Sequence, residues 1–348
     1  MTTRAPAGGV PRESPGVSRH RLKDDPAEHR GTAAAPEEHY RLNERPSQRV
    51  ERPRAAPAAA APARGSEFRL AGQALGIFAV LALSFLLELT VLGNLRHDRD
   101  QTLLAALFRY ELAQNPAFPT APVSPLDQAS KPWAAGTPVA LLEIPRLGVR
   151  EVVVEGTSSG TLMSGPGHRR DTPFPGQVGT SVIAGRRATY GAPFRSIGQL
   201  RAGDRVTVTT GQGRSSFVVL GVRHAGDPVP PALASGHGRL TLATTDGPTW
   251  SPTGVLRVDA QLVSAAQPRP AQLPSAVVPA ADALLAGDSS ALLGVMGWVV
   301  LLVVVAVAIV WVRFRAGWWQ AWVIGLPVLV ALGLTASDEV AALLPNLL

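Results

Sequence analysis

The sequence predicts a mainly β fold, a barrel or sandwich of seven or eight short strands, combined with three membrane-spanning α-helices. Two observations support this prediction. The 348-residue chain contains three long apolar runs with almost no charge, and about 20 such residues span a bilayer. Between the first and the second run, short segments alternate apolar with polar residues and are separated by glycine, proline and aspartate.

The N-terminal part predicts a tail followed by an anchor. Residues 1–69 are rich in proline, alanine and charged residues without apolar periodicity, so we predict a disordered cytoplasmic tail, either simply solvated or touching anionic lipid headgroups. Residues 70–92 begin too far along the chain for a signal peptide and carry one charge, Glu88, so we predict an uncleaved transmembrane anchor. The basic residues Arg64 and Arg69 place its N-terminal side in the cytoplasm.

Two further apolar runs, 291–312 and 318–336, are predicted to be transmembrane helices, because their length and lack of charge disfavour buried helices of a soluble domain. The short basic link between them, 313–317, is predicted to be cytoplasmic. The intervening chain then lies outside the plasma membrane, and the protein is predicted to be a multi-pass membrane protein.

The outer part divides into three segments. We predict a helix and then a Pro-rich stalk over residues 93–136. We predict the β domain over residues 137–264 and a linker over residues 265–290. Seven candidate strands lie within the β domain: Val139–Ile144, Val149–Glu155, Thr180–Ala184, Val206–Thr210, Ser216–Val222, Leu240–Ala243 and Val255–Leu262. Their short, regular spacing favours an antiparallel barrel or sandwich.

The composition excludes several classes of function. The chain contains no cysteine, which excludes disulfides, thiolate metal sites and thiol nucleophiles. No zinc-ligand spacing relates the outer histidines, so we expect no metal and no cofactor: they are His97, His168, His224 and His237. The net charge of +7 is divided between the tail and the β domain, without a basic stripe interleaved with aromatic residues, so we expect no nucleic-acid partner.

The β domain resembles a known family. The segments IPRLGV, VVVEGT, SGPGHRRDTPFPGQVGTSVIAG, TYGAPF, LRAGD and RLTLATT occur in the order found in sortases, over about residues 138–262. They are most similar to the class E sortases of actinobacteria. The resemblance implies a closed β-barrel of about eight strands. It also implies a membrane-anchored cysteine transpeptidase that cleaves a sorting peptide and joins the released carbonyl to a cell-wall or pilin amine.

The sequence departs from the catalytic residues that this resemblance implies. Sortases carry histidine in an AGHR-like step, cysteine at the end of a TLxTC strand, and arginine on the next strand. Here Arg186 replaces the histidine and Thr245 replaces the cysteine. The arginine has two candidate positions, Arg257, twelve residues after Thr245, and Gly254.

These replacements predict a domain that binds rather than cleaves. An internal threonine lacks the base that activates a nucleophile, and arginine does not exchange protons near neutral pH. The candidate ligand-binding residues are Arg186, Arg187, Thr245 and Arg257, whose guanidinium groups match the geometry of carboxylate or phosphate. The alternative is that Arg186 points into water or pairs with Asp246.

Three functions stay open at this point. The first is a pseudo-sortase that binds a sorting-signal peptide or a cell-wall or surface-protein partner outside the membrane. The second is an active transpeptidase or hydrolase that uses Thr245 or a migrated site. The third is a membrane scaffold whose two C-terminal helices dock an active sortase or a secretion component.

Overall fold

The computed structural model describes residues 64–114, 124–127 and 131–348. Residues 1–63 of the predicted tail, and 115–123 and 128–130 of the predicted stalk, lie outside this part of the chain. Within the described residues, eight strands form a closed barrel. They are β1 Pro138–Ile144, β2 Val149–Glu155, β3 Gly167–His168, β4 Gly179–Ala184, β5 Arg205–Thr210, β6 Gly213–Arg223, β7 Gly238–Asp246 and β8 Gly254–Leu262.

The barrel closes in the strand order β1-β2-β3-β4-β7-β8-β6-β5, with β5 pairing back onto β1. The prediction of a mainly β, closed barrel of about eight strands is confirmed. Most strand pairs are antiparallel, but β2 pairs with β3 and β4 pairs with β7 in parallel. The sheet is therefore mixed rather than antiparallel. The strands β5 and β6 form the connection between β4 and β7, and β7 then pairs with β4 in the same direction.

Alternating side chains of the strands fill the barrel interior. Leu240 and Leu242 on β7 and Val258 on β8 are fully buried there with Phe217 of β6. Residues between them in sequence, such as Thr241, lie on the outer face, because successive side chains of a strand point to opposite sides. This alternation decides which β7 residues belong to the core and which belong to the site.

Five helices accompany the barrel within the described residues. They are α1 Arg64–Leu87, α2 Gly93–Gln114, the single-turn α3 Thr161–Ser164, α4 Ala291–Ala316 and α5 Trp318–Leu343. A π-helical turn, Glu88–Leu92, joins α1 to α2 without a break. Because a helix rises about 1.5 Å per residue, this continuous helix is about 75 Å long and extends well beyond a bilayer. In the part of the chain that the structure describes, three helices are long and apolar enough to cross a membrane.

The helices α1 and α5 pack side by side and run in the same direction. A Cβ atom on Gly76 of α1 would lie 3.6 Å from the Trp322 ring near the start of α5. Further along, Gly333 packs against Ser84, and small residues of this kind allow close helix packing in membranes. Because α5 runs parallel to α1 and α2 continues α1, the end of α5 lies on the same side as α2 and the barrel.

The helix α2 is fixed to the barrel by one glutamine. The Gln101 side-chain amide donates to the carbonyl oxygens of Val152 (3.1 Å) and Ser164 (2.8 Å), and its oxygen accepts from the Val152 amide (2.7 Å). Phe108, about two helical turns further along α2 on the same face, is buried with Val152 and packs against Leu141. These contacts hold the helix against β1 and β2, on the side of the barrel that also carries α3.

Candidate active site

The parallel pairing of β4 with β7 brings two of the predicted site residues to one edge of the barrel. Ala184 lies opposite Ala243, and the Gly185 amide donates to the Ala243 carbonyl (3.0 Å). The Thr244 hydroxyl donates to the Gly185 carbonyl (2.8 Å) and reinforces this pairing. Because the carboxyl ends of parallel strands meet at the same edge, Arg186 and Thr245 both lie at the end of their strands there.

Arg186 is completely buried, with 0% of its surface exposed. Its guanidinium donates to the Ser159 carbonyl (2.8 Å), the Ser159 hydroxyl (2.8 Å) and the Thr189 hydroxyl (3.1 Å), and lies 5.0 Å from the centre of the Tyr190 ring. It therefore neither points into water nor pairs with Asp246. Burial lowers the pKa of Arg186 to about 10, so at neutral pH it remains a cation with no proton to exchange.

Arg186 is connected through Ser159 to the end of α5. The Ser159 hydroxyl, which accepts from Arg186, also lies within hydrogen-bond distance of the Ala341 carbonyl (3.2 Å) and the Leu344 carbonyl (3.4 Å). These carbonyl groups belong to the last turn of α5 and to the residue that follows it. Arg186 therefore stabilises the contact between the barrel and the end of α5.

Thr245 is also completely buried, and its hydroxyl has no hydrogen-bond partner among the described residues. Its carbonyl accepts from Arg187 (3.2 Å), which also donates to the Gly247 carbonyl (2.8 Å) and so holds the turn after β7. The Thr245 hydroxyl thus has no general base within hydrogen-bond distance, although nucleophile activation requires one.

A cavity of about 380 Å³ opens beside Thr245. Its lining includes Arg187, Arg195, His224 and Asp246. The His224 ring nitrogen Nδ1 lies 2.8 Å from the Asp246 carboxylate, but this pair is bonded to itself and not to the Thr245 hydroxyl. The cavity therefore contains an imidazole–carboxylate pair without contact to a nucleophile.

Because of the contact between His224 and Asp246, we expect the free energy of unfolding to depend on pH. Burial opposes ionisation of Asp246, but hydrogen bonds from His224 and the Gly247 amide hold its pKa below the ordinary value. Such a group stabilises the fold above the ordinary carboxyl pKa of about 4, and the contribution is lost as the pH falls through the lower folded-state value. We expect Asp246→Asn to lower the free energy of unfolding by about 0.5–1 kcal/mol near neutral pH, since His224 is mostly exposed.

Denaturant unfolding at a series of pH values measures this effect. The difference between Asp246→Asn and wild type should shrink steadily as the pH falls below the ordinary carboxyl pKa of about 4. A His224→Gln variant is the control, because adding Asp246→Asn to it should cost little more. A constant difference across the pH range would refute the role of the carboxylate.

Arg257 lies on β8, opposite Ala243 on β7 and Arg223 on β6. It donates to the Val255 carbonyl (3.3 Å), and burial together with the neighbouring Arg223 lowers its pKa. The donors of Arg186, Arg187 and Arg257 thus bind separate protein oxygens in the described part of the chain. A shared anion site stays a prediction.

Gly254, the other candidate for the arginine position, lies opposite Asp246 at the beginning of β8. A Cβ atom there would come 2.7 Å from the Cβ of Ala225, closer than side chains approach each other. The loop that carries Ala225 therefore excludes a side chain, including arginine, unless it moves.

We expect Gly254→Ala to lower the free energy of unfolding by about 1–3 kcal/mol, because the new methyl group overpacks the contact with Ala225. Thermal unfolding of the full-length protein in detergent measures the loss. Gly221→Ala is the matched control, since Gly221 is also a strand glycine but has open space around its Cβ position. Equal stability of the two variants would show that the loop that carries Ala225 moves aside without cost, and would contradict this prediction.

Two other outer histidines are held in structural contacts. His168 is buried, with Nδ1 2.8 Å from the Glu155 carboxylate and its ring stacked on Phe174. His97 of α2 lies 3.2 Å from Glu151 on β2. Among the described residues, no group of three or more histidine, aspartate or glutamate side chains is arranged to hold a metal ion.

The residues that follow α5 cover an apolar surface on the outer face beside Thr245, and we call this surface the groove. We define it by Leu162 of α3, Ala184 of β4, Ala243 of β7 and Val255 of β8, which form one buried cluster with Leu347. Ala243 and Thr245 are two residues apart on β7, so both face this side of the sheet. Leu347 is completely buried, so residues that follow α5 fill the groove.

The segment 344–348 and Ser159 were not identified from the sequence as part of the site. The sequence feature that could have indicated this segment is the leucine-rich stretch Leu-Leu-Pro-Asn-Leu-Leu, which lies beyond the predicted end of the last apolar run at 318–336. Ser159 lies between β2 and α3 in a segment without a motif, and only the fold brings it beneath Arg186.

Comparison with known protein families agrees with this fold. Residues 142–263 match the family model described as "Sortase domain". The chain is also 33% identical to sortase E from Streptomyces avermitilis, all of whose solved chain it covers. The chain belongs to the sortase family. Its sortase domain is the barrel that carries Arg186 and Thr245.

Further relatives define how far the similarity extends. Sortase D of Bacillus subtilis is 31% identical over 94 residues, which are 27% of this chain and 46% of that protein, so the match spans about half the length of the curated relative. The sortase E structure covers 43% of this chain with a TM-score of 0.32. A Clostridium perfringens sortase D5 transpeptidase is 20% identical, and the similarity covers 48% of this chain and 99% of that one with a TM-score of 0.40.

Proposed function

We propose that this protein is a membrane-anchored pseudo-sortase of the class E type, which binds a peptide of a surface-protein partner outside the membrane without cleaving it. The observation that carries the proposal is the state of the two catalytic positions. Arg186 is a buried cation bonded to Ser159, and the Thr245 hydroxyl has no base within hydrogen-bond distance. Neither group is able to perform the proton transfers of a transpeptidation.

The groove supports a peptide-binding role. It is apolar, lies beside Thr245, and accommodates a stretch of main chain, since residues 344–348 lie in it. Apolar pockets combined with backbone hydrogen bonds are a common way for proteins to bind extended peptides. The loss of catalytic groups therefore leaves a surface that retains the shape needed to hold a peptide.

The helix arrangement supports an extracytoplasmic position for the sortase domain. The side-by-side packing of α1 and α5 in one direction places the end of α5 on the barrel side. A cytoplasmic N-terminal tail and a cytoplasmic link at 313–317 are then consistent with a barrel outside the cell membrane, as the positive-inside rule predicts.

The other two functions make different demands on the same chain. Catalysis through Thr245 requires a base, and the His224–Asp246 pair in the neighbouring cavity is the candidate. A scaffold role would use α4, whose Leu293 and Val307 are exposed in the isolated chain, and lipid tails would cover such residues equally well. The peptide-binding role is favoured because the groove is already adapted to main-chain contacts.

Photolabelling tests the proposal. The full-length protein in detergent is mixed with sorting-signal peptides that carry a diazirine group, and the cross-linked residues are mapped by mass spectrometry. We expect saturable labelling near Leu162 and Ala243, with the peptide uncut. Labelling that is scattered and does not saturate, or a cleaved peptide that depends on Thr245, would overturn the proposal.

A further inference from the structure

The side chain of Leu347 is held in the groove as a ligand would be. It is completely buried in the cluster of Leu162, Ala184, Ala243 and Val255, each from a different element of the sortase domain. Burial of a leucine side chain is favourable because it removes apolar surface from water. These four side chains therefore enclose one leucine side chain, next to the strand β7 that carries Thr245.

The main chain of the segment 344–348 is bound through backbone amides. The Arg187 amide donates to the Leu347 carbonyl (3.0 Å), and the amides of Ala188 (2.8 Å) and Thr189 (3.2 Å) donate to the Leu348 carbonyl. These three successive residues follow directly after Arg186. Because such bonds involve only main-chain atoms, they would form equally well with another peptide in the same register.

Asn346 adds a contact that depends on its side chain. Its amide group donates to the carbonyl oxygens of Thr157 (2.6 Å) and Ala283 (2.9 Å), and its side-chain oxygen accepts from the Leu285 amide (2.9 Å). The residue is completely buried. A buried amide with donors and acceptor satisfied selects asparagine over residues of similar size, because a replacement leaves these groups unpaired.

The residue that replaced the catalytic histidine helps to hold this segment. Arg186 donates to the Ser159 hydroxyl, and this hydroxyl lies 3.4 Å from the carbonyl of Leu344, where the segment begins. Changes at the catalytic positions and the filling of the groove are thus connected by hydrogen bonds. Arg186 therefore does more than fill space, because its guanidinium nitrogens donate hydrogen bonds that an apolar side chain is unable to make.

We infer that residues 344–348 are an intramolecular ligand of the groove, which a partner peptide of the same chemistry displaces. This inference rests on the proposed peptide-binding function and names the class of peptide: an extended apolar segment with asparagine followed by leucine. The partner's leucine takes the pocket of Leu347, its asparagine takes the contacts of Asn346, and its carbonyl groups accept from the amides at 187–189. The groove is then free only when the segment leaves it.

The absence of cysteine from the chain allows a direct test with a single introduced thiol. In the full-length protein in detergent, the thiol of Leu347→Cys should react with a maleimide at least about 100-fold more slowly than that of the control Val263→Cys, because position 347 is buried and Val263 is 59% exposed. Leu348→Cys, at a second buried position, provides an independent reporter if the first variant folds poorly.

A synthetic peptide, Leu-Leu-Pro-Asn-Leu-Leu with two N-terminal lysines for solubility, then tests displacement. We expect it to accelerate labelling of Leu347→Cys several-fold in a saturable way, and to leave Val263→Cys unchanged. The same peptide with alanine in place of asparagine should be weaker. Adding Asn346→Ala to the Leu347→Cys chain should accelerate labelling without any peptide.

The possible failures are distinguishable. Labelling of Leu347→Cys as fast as the control would show that the segment does not occupy the groove and would overturn the inference. Slow labelling that neither peptide nor Asn346→Ala changes would make the segment a permanent part of the fold, and would also overturn it. If Asn346→Ala opens the groove but photolabelling finds no bound peptide there, the proposed function itself fails.

Discussion

Replacing Arg186 by alanine should lower the free energy of unfolding of the sortase domain by about 2–4 kcal/mol. Arginine 186 is the largest fully buried side chain, so its removal leaves a cavity and leaves Ser159 and Thr189 without their donor. The loss is partly offset because burying the charge is unfavourable. Burial lowers the pKa of Arg186, which shows that holding the cation in this position has a desolvation cost.

Thermal and denaturant unfolding of the full-length protein in detergent measure this loss. Arg195→Ala is the matched control, since Arg195 is an exposed arginine on the same connection and should change stability by less than about 0.5 kcal/mol. Arg186→Met should fall between the two, because it keeps most of the volume and removes the charge. Equal stability of Arg186→Ala and Arg195→Ala would contradict a stabilising role for the hydrogen bonds of Arg186.

Restoring the two catalytic residues that the sortase resemblance implies should not restore transpeptidation. The variant Thr245→Cys with Arg186→His regains a thiol and an imidazole. Of the two candidate arginine positions, however, Gly254 has no side chain and Arg257 donates to the Val255 carbonyl, and Leu347 still fills the groove. The missing oxyanion donor alone costs about 10²–10³-fold in rate. We expect no more product than from Thr245→Cys alone, measured by mass spectrometry with a sorting-signal peptide and an amine acceptor.

A third substitution separates the two obstacles. Adding Leu347→Ala to the double variant empties the pocket, and product that appears only then would identify the segment 344–348 as the main block. Product from the double variant with the segment intact would show that the groove is accessible and that Gly254 is compatible with catalysis. That outcome would refute both obstacles at once.

The sequence predicted the barrel well because strand alternation is a local signal. The predicted strand Val149–Glu155 coincides with β2, and the others differ from the observed strands by a few residues at their ends. The strand β3 was missed, since two residues, Gly167–His168, carry no periodic pattern. The parallel pairing of β4 with β7 joins segments far apart in sequence, which no local pattern reveals.

The site was only partly predictable. Motif order pointed to Arg186 and Thr245 as replaced catalytic positions, but arginine normally stays in contact with water, so its complete burial was not expected. The hydrogen bonds of Arg186 depend on Ser159, and those of the groove depend on Asn346. Both partners reach the site through tertiary packing, from a loop after β2 and from the end of α5.

In the proposed pseudo-sortase, Arg186 has a structural role. The two terminal nitrogens of the buried Arg186 guanidinium donate to Ser159 and Thr189, whereas its Nε has no hydrogen-bond partner among the described residues. The same serine lies against the end of α5, so the barrel and α5 are connected at this edge. Replacing Arg186 would therefore disturb the packing of α5 against the barrel.

Peptide turnover by the wild-type chain tests most directly whether this sortase domain binds without catalysis. The full-length protein in detergent is incubated at stoichiometric concentration with a pool of sorting-signal peptides and an amine acceptor. The masses of the peptides and of the intact protein are then measured by mass spectrometry. We predict intact peptides and no added mass on the protein. A cleaved peptide or an ester adduct that disappears in Thr245→Val, which removes the hydroxyl and keeps the side-chain shape, would contradict the loss of catalysis.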